Sequence, residues 1–508
     1  MPGERTRVLP VLVGGGQTID RVGDRAGDPA SGREPLALME EAARRAAEDA
    51  GSDGRLLGAL DTIAVVNIIS WDYGDAPGIL AERLGCHPAR TIYTTLGGNT
   101  PQTLLNHLCD EIAAGRSEAA LIAGAEAFNT LRALGKNGHR PAWTAARPAR
   151  GDAWGDARMG MSPLELRHGI AKPVVAYPMV ENAFRARRGL SLDAHRRELA
   201  AYCGRSAAVA ARNPYAWFQD GKSGETIATV TTGNRMVGFP YPKSMNAILE
   251  VNQGAALVLL ADSAARRLGV AHDRWVYPWA GVDVTEQWFL QDRVDYASLP
   301  GVRRAGAALL ETVGRGIDAI AHLDLYSCFP IAPRLSAAML GLAPDTARAL
   351  TVTGGLPYFG GPGSNYATHA IATLGARLRA DRESFGLAHA LGWNLTKHAL
   401  AVYGGAPPPR GWQRAGGAAL QAHVDAEPHP SIVETPAGRG TIEAYTVLHA
   451  RGGEPEGGSV IGRLAGGERF LAILPRDRGL LEAMEQAEQV GRVGTLRQDG
   501  ERTVFDPS

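Results

Sequence analysis

The sequence predicts an α/β protein, and three features lead there. Strand-length apolar runs alternate with amphipathic helices over the first 125 residues. One stretch, 92–125, reads strand, turn, helix, strand, an order that requires parallel strands joined by a crossover. The same alternation returns after residue 250. VLPVLVGGG is a buried strand, and ALMEEAARRAAEDAG an amphipathic helix closed by Gly51. LDTIAVVNII is the second strand. After the turn LGGNT, Thr100 is the expected N-cap with Pro101 in the first turn, where its missing N–H costs nothing. Leu104, Leu105, Leu108 and Ile112 form the buried stripe of that helix, Gly115 ends it, and AALIAGAE is the next strand.

Residues 126–240 change character, with Trp143, Trp154, Trp217, many arginines and repeated Pro/Gly breaks. Helices around Met179–Arg188 and Leu192–Arg212 make this an inserted lobe. The α/β pattern resumes with ILEVNQGAALVLL, a helix near Gly301–Gly314, the strand AIAHLDLYS and the helix PRLSAAMLG. SNYATHAIATLGARLRA is a further helix with Ser364 as its expected N-cap, and LAHALGW and HALAVYG are the closing strands. Past the breaker GGAPPPRGW, short alternating strands (GRGTIEAYTVLHA, GSVIGRLAGG, RFLAILP) and the helix LLEAMEQAE predict a small β-rich, OB-like domain. The expected units are 1–125 with 241–265, 126–240, 266–412 and 413–508.

Composition excludes several classes. Lys+Arg and Asp+Glu both total 53, so no bulk charge draws the chain to nucleic acid or an anionic membrane. No apolar run reaches the roughly 18–20 residues of a membrane span, and the N-terminus lacks an apolar h-region with a cleavage site. Cys86, Cys109, Cys203 and Cys328 are widely spaced without a CxxC pair, which argues against a disulfide framework or a zinc site. The expected compartment is the cytoplasm and the expected metal is none.

From Gly97 onward the chain resembles the thiolases, closest to the sterol-carrier-protein thiolase branch. The resemblance is carried by GGNTPQTLLNHLCDEIAAGRSEAALIAGAEAF, PYPKSMNAILEVNQGAALVLL, DLYSCFP, GGLPYFGGPGSNY and the lobe stretch MVENAFRARRGLSLDAHRRELAAYCGRSAAVAARNP. With the C-terminal extension it is similar to the type-one thiolase-like proteins, many of them labelled acetyl-CoA acetyltransferases. The resemblance implies a duplicated fold, two βαβαβαββ halves layered α/β/α/β/α, with coenzyme A or acyl-CoA as ligand and a place in lipid metabolism. It also implies a homodimer through the sheet of the first half, unless the added domain covers that surface or engages a protein partner.

The chemistry matches less well. Gly97 stands where the family places its nucleophilic cysteine, Tyr326 and Gly361 where it places histidines, and Gly392 where biosynthetic thiolases carry another cysteine. Cys328 is kept, between a strand and a helix whose dipole would favour its thiolate; its bland alternative is a small buried hydrophobe. His369 and His398 are candidate bases. His369 lies off the stripe Ile371, Leu374, Leu378 and so is expected to point away from the core, at pocket, solvent or lobe. For His398 a site role and a structural hydrogen bond weigh equally. Cys109 is core.

For CoA, Arg185, Arg187, Arg188, Arg196 and Arg197 offer phosphate forks, with Arg185 and Arg188 the chosen candidates and a solvated helix face as alternative. Trp217, beside Phe218, is the flat partner for adenine. Asn365 and the glycines 354, 355, 360 and 361, Gly360 and Gly361 above all, would let backbone approach a pantetheine arm. Two functions follow as expectations: a CoA- or acyl-CoA-binding protein without standard thiolysis, or an active acyltransferase with Cys328 as nucleophile.

Overall fold

The computed structural model describes residues 7–21, 32–51, 54–136 and 138–508. Its first sheet runs Pro10–Ile19, Asn252–Ala261, Ala119–Ala127, Thr62–Val65, Arg90–Tyr93 in spatial order. The last three strands are parallel, and Asn252–Ala261 is antiparallel to both of its neighbours. The second sheet runs Gln413–Arg414, Tyr277–Thr285, Lys397–Gly404, Phe385–Gly392, His322–Leu325. Apart from the edge strand Gln413–Arg414, in each half the first strand lies beside the last and the last beside the penultimate, so the topology is duplicated although the sequences do not visibly repeat.

Alternation along the strands builds the layers. Val11 and Val13 face outward onto the helix Pro35–Asp49, while Leu12 faces inward. Gly14 and Gly16 let that helix lie on the strand, because a Cβ at either would come within 1.9 Å of a helix carbonyl. The inward residues Leu12, Ile122 and Leu257 meet Ala388, Ala401 and Tyr403 of the other sheet through two helices between them, Thr100–Ala113 and Tyr366–Ala380. Leu104, Leu105, Leu108 and Ile112 are all fully buried there, each contributing roughly 1.5–3 kcal/mol of burial. Pro300–Val313 and Ile331–Met339 cover the outer face of the second sheet, completing five layers.

Both expected caps shift by one residue. Asn99 precedes the first central helix and Asn365 the second. Thr100 Oγ1 donates to the Gly97 carbonyl at 2.8 Å, and Ser364 Oγ accepts from Gly97 N–H at 3.1 Å. Ser364 therefore ties the two central helix starts together instead of capping its own.

The lobe is built on Pro173–Arg187 and Leu192–Ala210. At the C-terminus, Gly438–His449 pairs with Pro455–Leu464, which pairs with Arg469–Ile473. Arg469–Ile473 runs parallel to Arg502–Pro507, and Val493–Asp499 returns to Gly438–His449, closing a five-strand barrel. The last two strands were not legible because their outer face is polar (VGTLRQD). The barrel docks on the lobe: Gly238 pairs with Leu448, and Asn182 Nδ2 donates to the carbonyls of Phe239 and Tyr445, both at 3.0 Å. Two expected limits move. The first half's strand continues to Ala127, and Gln413–Arg414 adds to the second sheet, with Gly417–Asp425 packed on that half.

Candidate functional site

The starts of the two central helices, the end of the strand His322–Leu325 and the turn between the closing strands converge on Gly97. Gly97 has φ 155°, and a Cβ there would lie 2.5 Å from Asn99 Oδ1 and 2.9 Å from Lys397 Nζ. At Gly392, a Cβ would lie 2.3 Å from Asn99 Oδ1 and 3.1 Å from Lys397 Cε. Asn99 and the lysine side chain together thus fill the space that side chains at both positions would claim. Tyr326 packs its hydroxyl against Gly98.

The closing turn is strained. Trp393 and Leu395 sit at φ 57° and 59°, a region that bulky side chains rarely enter. Tyr177 O–H donates to Trp393 O at 2.7 Å, and Arg293 Nη2 donates to Asn394 O at 2.7 Å, holding the turn from both sides. Lys397 follows directly. Only 4 % of it is exposed, and burial draws its pKa below the ordinary lysine value, with Asp156 opposing. Its Nζ donates to Leu96 O at 3.0 Å. Asn99 Oδ1 and Thr95 Oγ1, both buried beside it, have no hydrogen-bond partner. Sequence reading passes over Lys397, yet it had a signal: lysine is rare here, five residues among 53 basic ones.

Other candidates meet different surroundings. Cys328 is half-buried beside Tyr177, and burial pushes its thiol up to about 12, against the thiolate expected from the helix dipole. His398 is held at both nitrogens: Nε2–H donates to Leu395 O at 3.1 Å and Nδ1 accepts from His389 Nε2–H at 2.9 Å. Burial and His389 keep it neutral, well below the usual histidine range, and it lines the cavity beside Gly97. His369 does not point away from the core. Its helix is enclosed by two sheets, the residue is fully buried, and Nδ1–H donates to Gln17 Oε1 at 2.9 Å. Burial lowers its pKa to about 3.

The arginines chosen for phosphate are engaged within the protein. Arg185, 1 % exposed, grips Glu488 of the C-terminal region at 2.6 and 2.7 Å, and Arg188 grips Glu198 at 2.6 and 3.0 Å. Trp217 N–H donates to Phe359 O at 2.7 Å, pinning the lobe to the glycine-rich loop. Asn365 Nδ2 donates to Gly124 O at 2.6 Å. The space beside Gly360 is taken by Gln253, whose Oε1 would be 2.3 Å from a Cβ there, and Gly361 N–H donates to Ile248 O at 2.8 Å. An open cavity of about 1000 Å³ lies between lobe and barrel, lined by Arg196, Phe239 and Met245 among others. All four cysteines are free, and among the described residues no group of His, Cys, Asp and Glu could hold a metal ion. No described helix is long and apolar enough to cross a membrane.

Two duplicated halves, a lobe between them and a cleft where the central helices begin define a thiolase-fold protein. A solved monomeric SCP2-thiolase-like protein type 1 from Mycobacterium smegmatis is 33% identical over 98% of this chain and 99% of its own, with a TM-score of 0.84. The chain belongs to the SCP2-thiolase-like proteins of type 1. Residues 419–501 match the family model for the thiolase-like protein type 1 additional C-terminal domain. Fold alone is shared with an Ltp2-ChsH2(DUF35) aldolase (16% identity, 78% of this chain and 97% of that one, TM-score 0.58). The same holds for an acetyl-CoA acetyltransferase from Syntrophomonas wolfei (16%, 79% and 100%, TM-score 0.55). No curated protein matches the sequence.

Proposed function

We propose that this chain binds CoA or an acyl-CoA in the cytoplasm and has given up the thiolase reaction. The observation that supports this most directly is the cleft at Gly97. The position that would carry a nucleophilic thiol is glycine, a second at Gly392 is glycine too, and Asn99 and the Lys397 side chain fill the space of both. Gly361 supplies no imidazole, and burial keeps the histidines His369 and His398 neutral, with His389 adding to the effect at His398. A thiol raised to about 12 at Cys328, with the Tyr177 hydroxyl as its side-chain partner, is a poor substitute at neutral pH.

With Arg185 and Arg188 paired in the interior, phosphate recognition would fall to the rim of the cavity between lobe and barrel, where Arg196 is exposed and forms its ion pair with the exposed Glu225, a partner that water and a phosphate can replace. That cavity is large enough for a nucleotide-sized ligand. Trp154 bridges to Thr94 at the free side of the strand Arg90–Tyr93 and donates to Tyr93 O. It occupies the edge a second copy would need, which favours a monomer, the state named for the M. smegmatis relative.

Titration calorimetry with CoA and acetoacetyl-CoA, alongside a thiolysis assay, tests this reading. Binding without thiolysis is the expected outcome. Robust thiolysis, or no binding of either compound, would sink it, and an acyl group mapped to Cys328 would establish a relocated acyltransferase instead.

A further inference from the structure

Beside Gly97 lies a cavity of about 310 Å³ whose lining includes Thr95, Asn99, Trp154, Asp156, Asp283 and Lys397. The choice of lysine here is informative. The chain meets nearly every need for positive charge with arginine and spends only five lysines. Lys136, Lys172, Lys222 and Lys243 are exposed, and only Lys397 is buried. Arginine suits a fixed charge and keeps its proton, whereas a lysine can lose its proton and become a nucleophile.

The surroundings give this amine two backbone carbonyls, Leu96 O at 3.0 Å and Asp156 O at 3.5 Å, and the Trp393 ring, but no counter-charge. Each carboxylate in the lining has its own arginine, Asp156 with Arg158 and Asp283 with Arg414, both at 2.6 Å. Among the described residues no carboxylate oxygen stands in ion-pair range of Lys397. Two buried polar atoms on the same lining, Asn99 Oδ1 and Thr95 Oγ1, lack partners and wait for a ligand's polar group. The strained turn at Trp393 and Leu395 fixes the start of the lysine's strand.

We propose that Lys397 is a carbonyl-capturing nucleophile, condensing reversibly through Nζ with a small ketone or aldehyde such as a 3-oxo acid held in this cavity. The ammonium first gives one proton to water. The nitrogen lone pair adds to the carbonyl carbon; the carbonyl oxygen then leaves as water with the two remaining amine hydrogens, and a C=N bond joins the ligand to Nζ. Thr95 hydroxyl and Asn99 Oδ1 are the donor and acceptor available to the oxygen as it passes through a hydroxyl. This goes beyond CoA binding and does not depend on it.

The test incubates the full chain at neutral pH with acetoacetate, or separately propanal, and sodium cyanoborohydride, followed by intact mass and peptide mapping. One adduct per chain is expected on Lys397, formed at least about tenfold faster than on any exposed lysine because the cavity holds the partners together. Lys397→Arg, which keeps the charge and whose fold is checked by circular dichroism, should lose that adduct. Labelling confined to the exposed lysines, or none at all, overturns the proposal. Neither probe contains CoA, so this failure leaves the calorimetric result for CoA standing on its own.

Discussion

In the lobe, Glu181 is fully buried and surrounded. Arg334 Nη1 stands 2.7 Å from it, His195 Nε2 2.8 Å and the Tyr241 hydroxyl 2.6 Å. Arg334 continues to Glu198, which takes Arg188. Burial alone would raise the Glu181 pKa, yet Arg334 and His195 hold it at about 2. In the cleft beside Gly97, Lys397 is nearly as buried but meets no carboxylate: its Nζ donates to the Leu96 and Asp156 carbonyls and lies over the Trp393 ring, with unpartnered oxygens on the same lining. Both regions cost desolvation; only the lobe recovers it internally. Buried charge in the lobe is therefore structural, and buried charge in the cleft is left available to a ligand, the pattern expected where stability is traded for function.

Removing a partner in each region should separate the two most sharply. Glu181→Ala takes the fully buried carboxylate from Arg334, His195 and Tyr241, leaving Arg334 with Glu198 alone, and should cost about 3–5 kcal/mol, read as a fall in the urea midpoint. A loss under about 1 kcal/mol would break the comparison. An intermediate effect is expected from His369, buried and neutral with its pKa lowered to about 3. Between that value and the ordinary value near 6.5, the unfolded chain binds a proton there that the native chain does not. Stability therefore falls as pH drops through this window, by about 1.4 kcal/mol per unit. Asp324 and Glu126, raised by burial to about 6 and about 7, act with the opposite sign, since they hold protons in the native state. Comparing His369→Gln with the parent in urea at two pH values between about 6 and 4 isolates the histidine, and the variant should lose less stability on acidification. The smallest effect belongs to the cleft: Lys397→Met should stay within about 1 kcal/mol of the parent, a hydrogen bond to Leu96 O and a long one to Asp156 O being lost as a desolvated cation is removed. A large loss there would make Lys397 another structural charge.

The misreadings share a cause. The stripe Ile371, Leu374, Leu378 implies one buried face only when a helix has one apolar neighbour; this helix has a sheet on each side, so His369 is buried as well. Arg185 reads as a phosphate ligand because its partner, Glu488, lies 303 residues away and beyond any local pattern. Tyr445 and Phe470, the visible aromatics of the C-terminal region, are fully buried inside the barrel, and Phe470 stacks on Phe505.

Local pattern in the sequence was enough to determine the main strands and helices up to the helix near residue 480, the buried stripe of the first central helix and the glycine at position 97, since periodicity and residue type are properties of neighbouring positions. Tertiary structure alone decided which charges are matched, which histidines are enclosed, and that a lysine three hundred residues downstream fills the space beside Gly97. Those depend on Coulomb and desolvation energies between groups brought together only by folding.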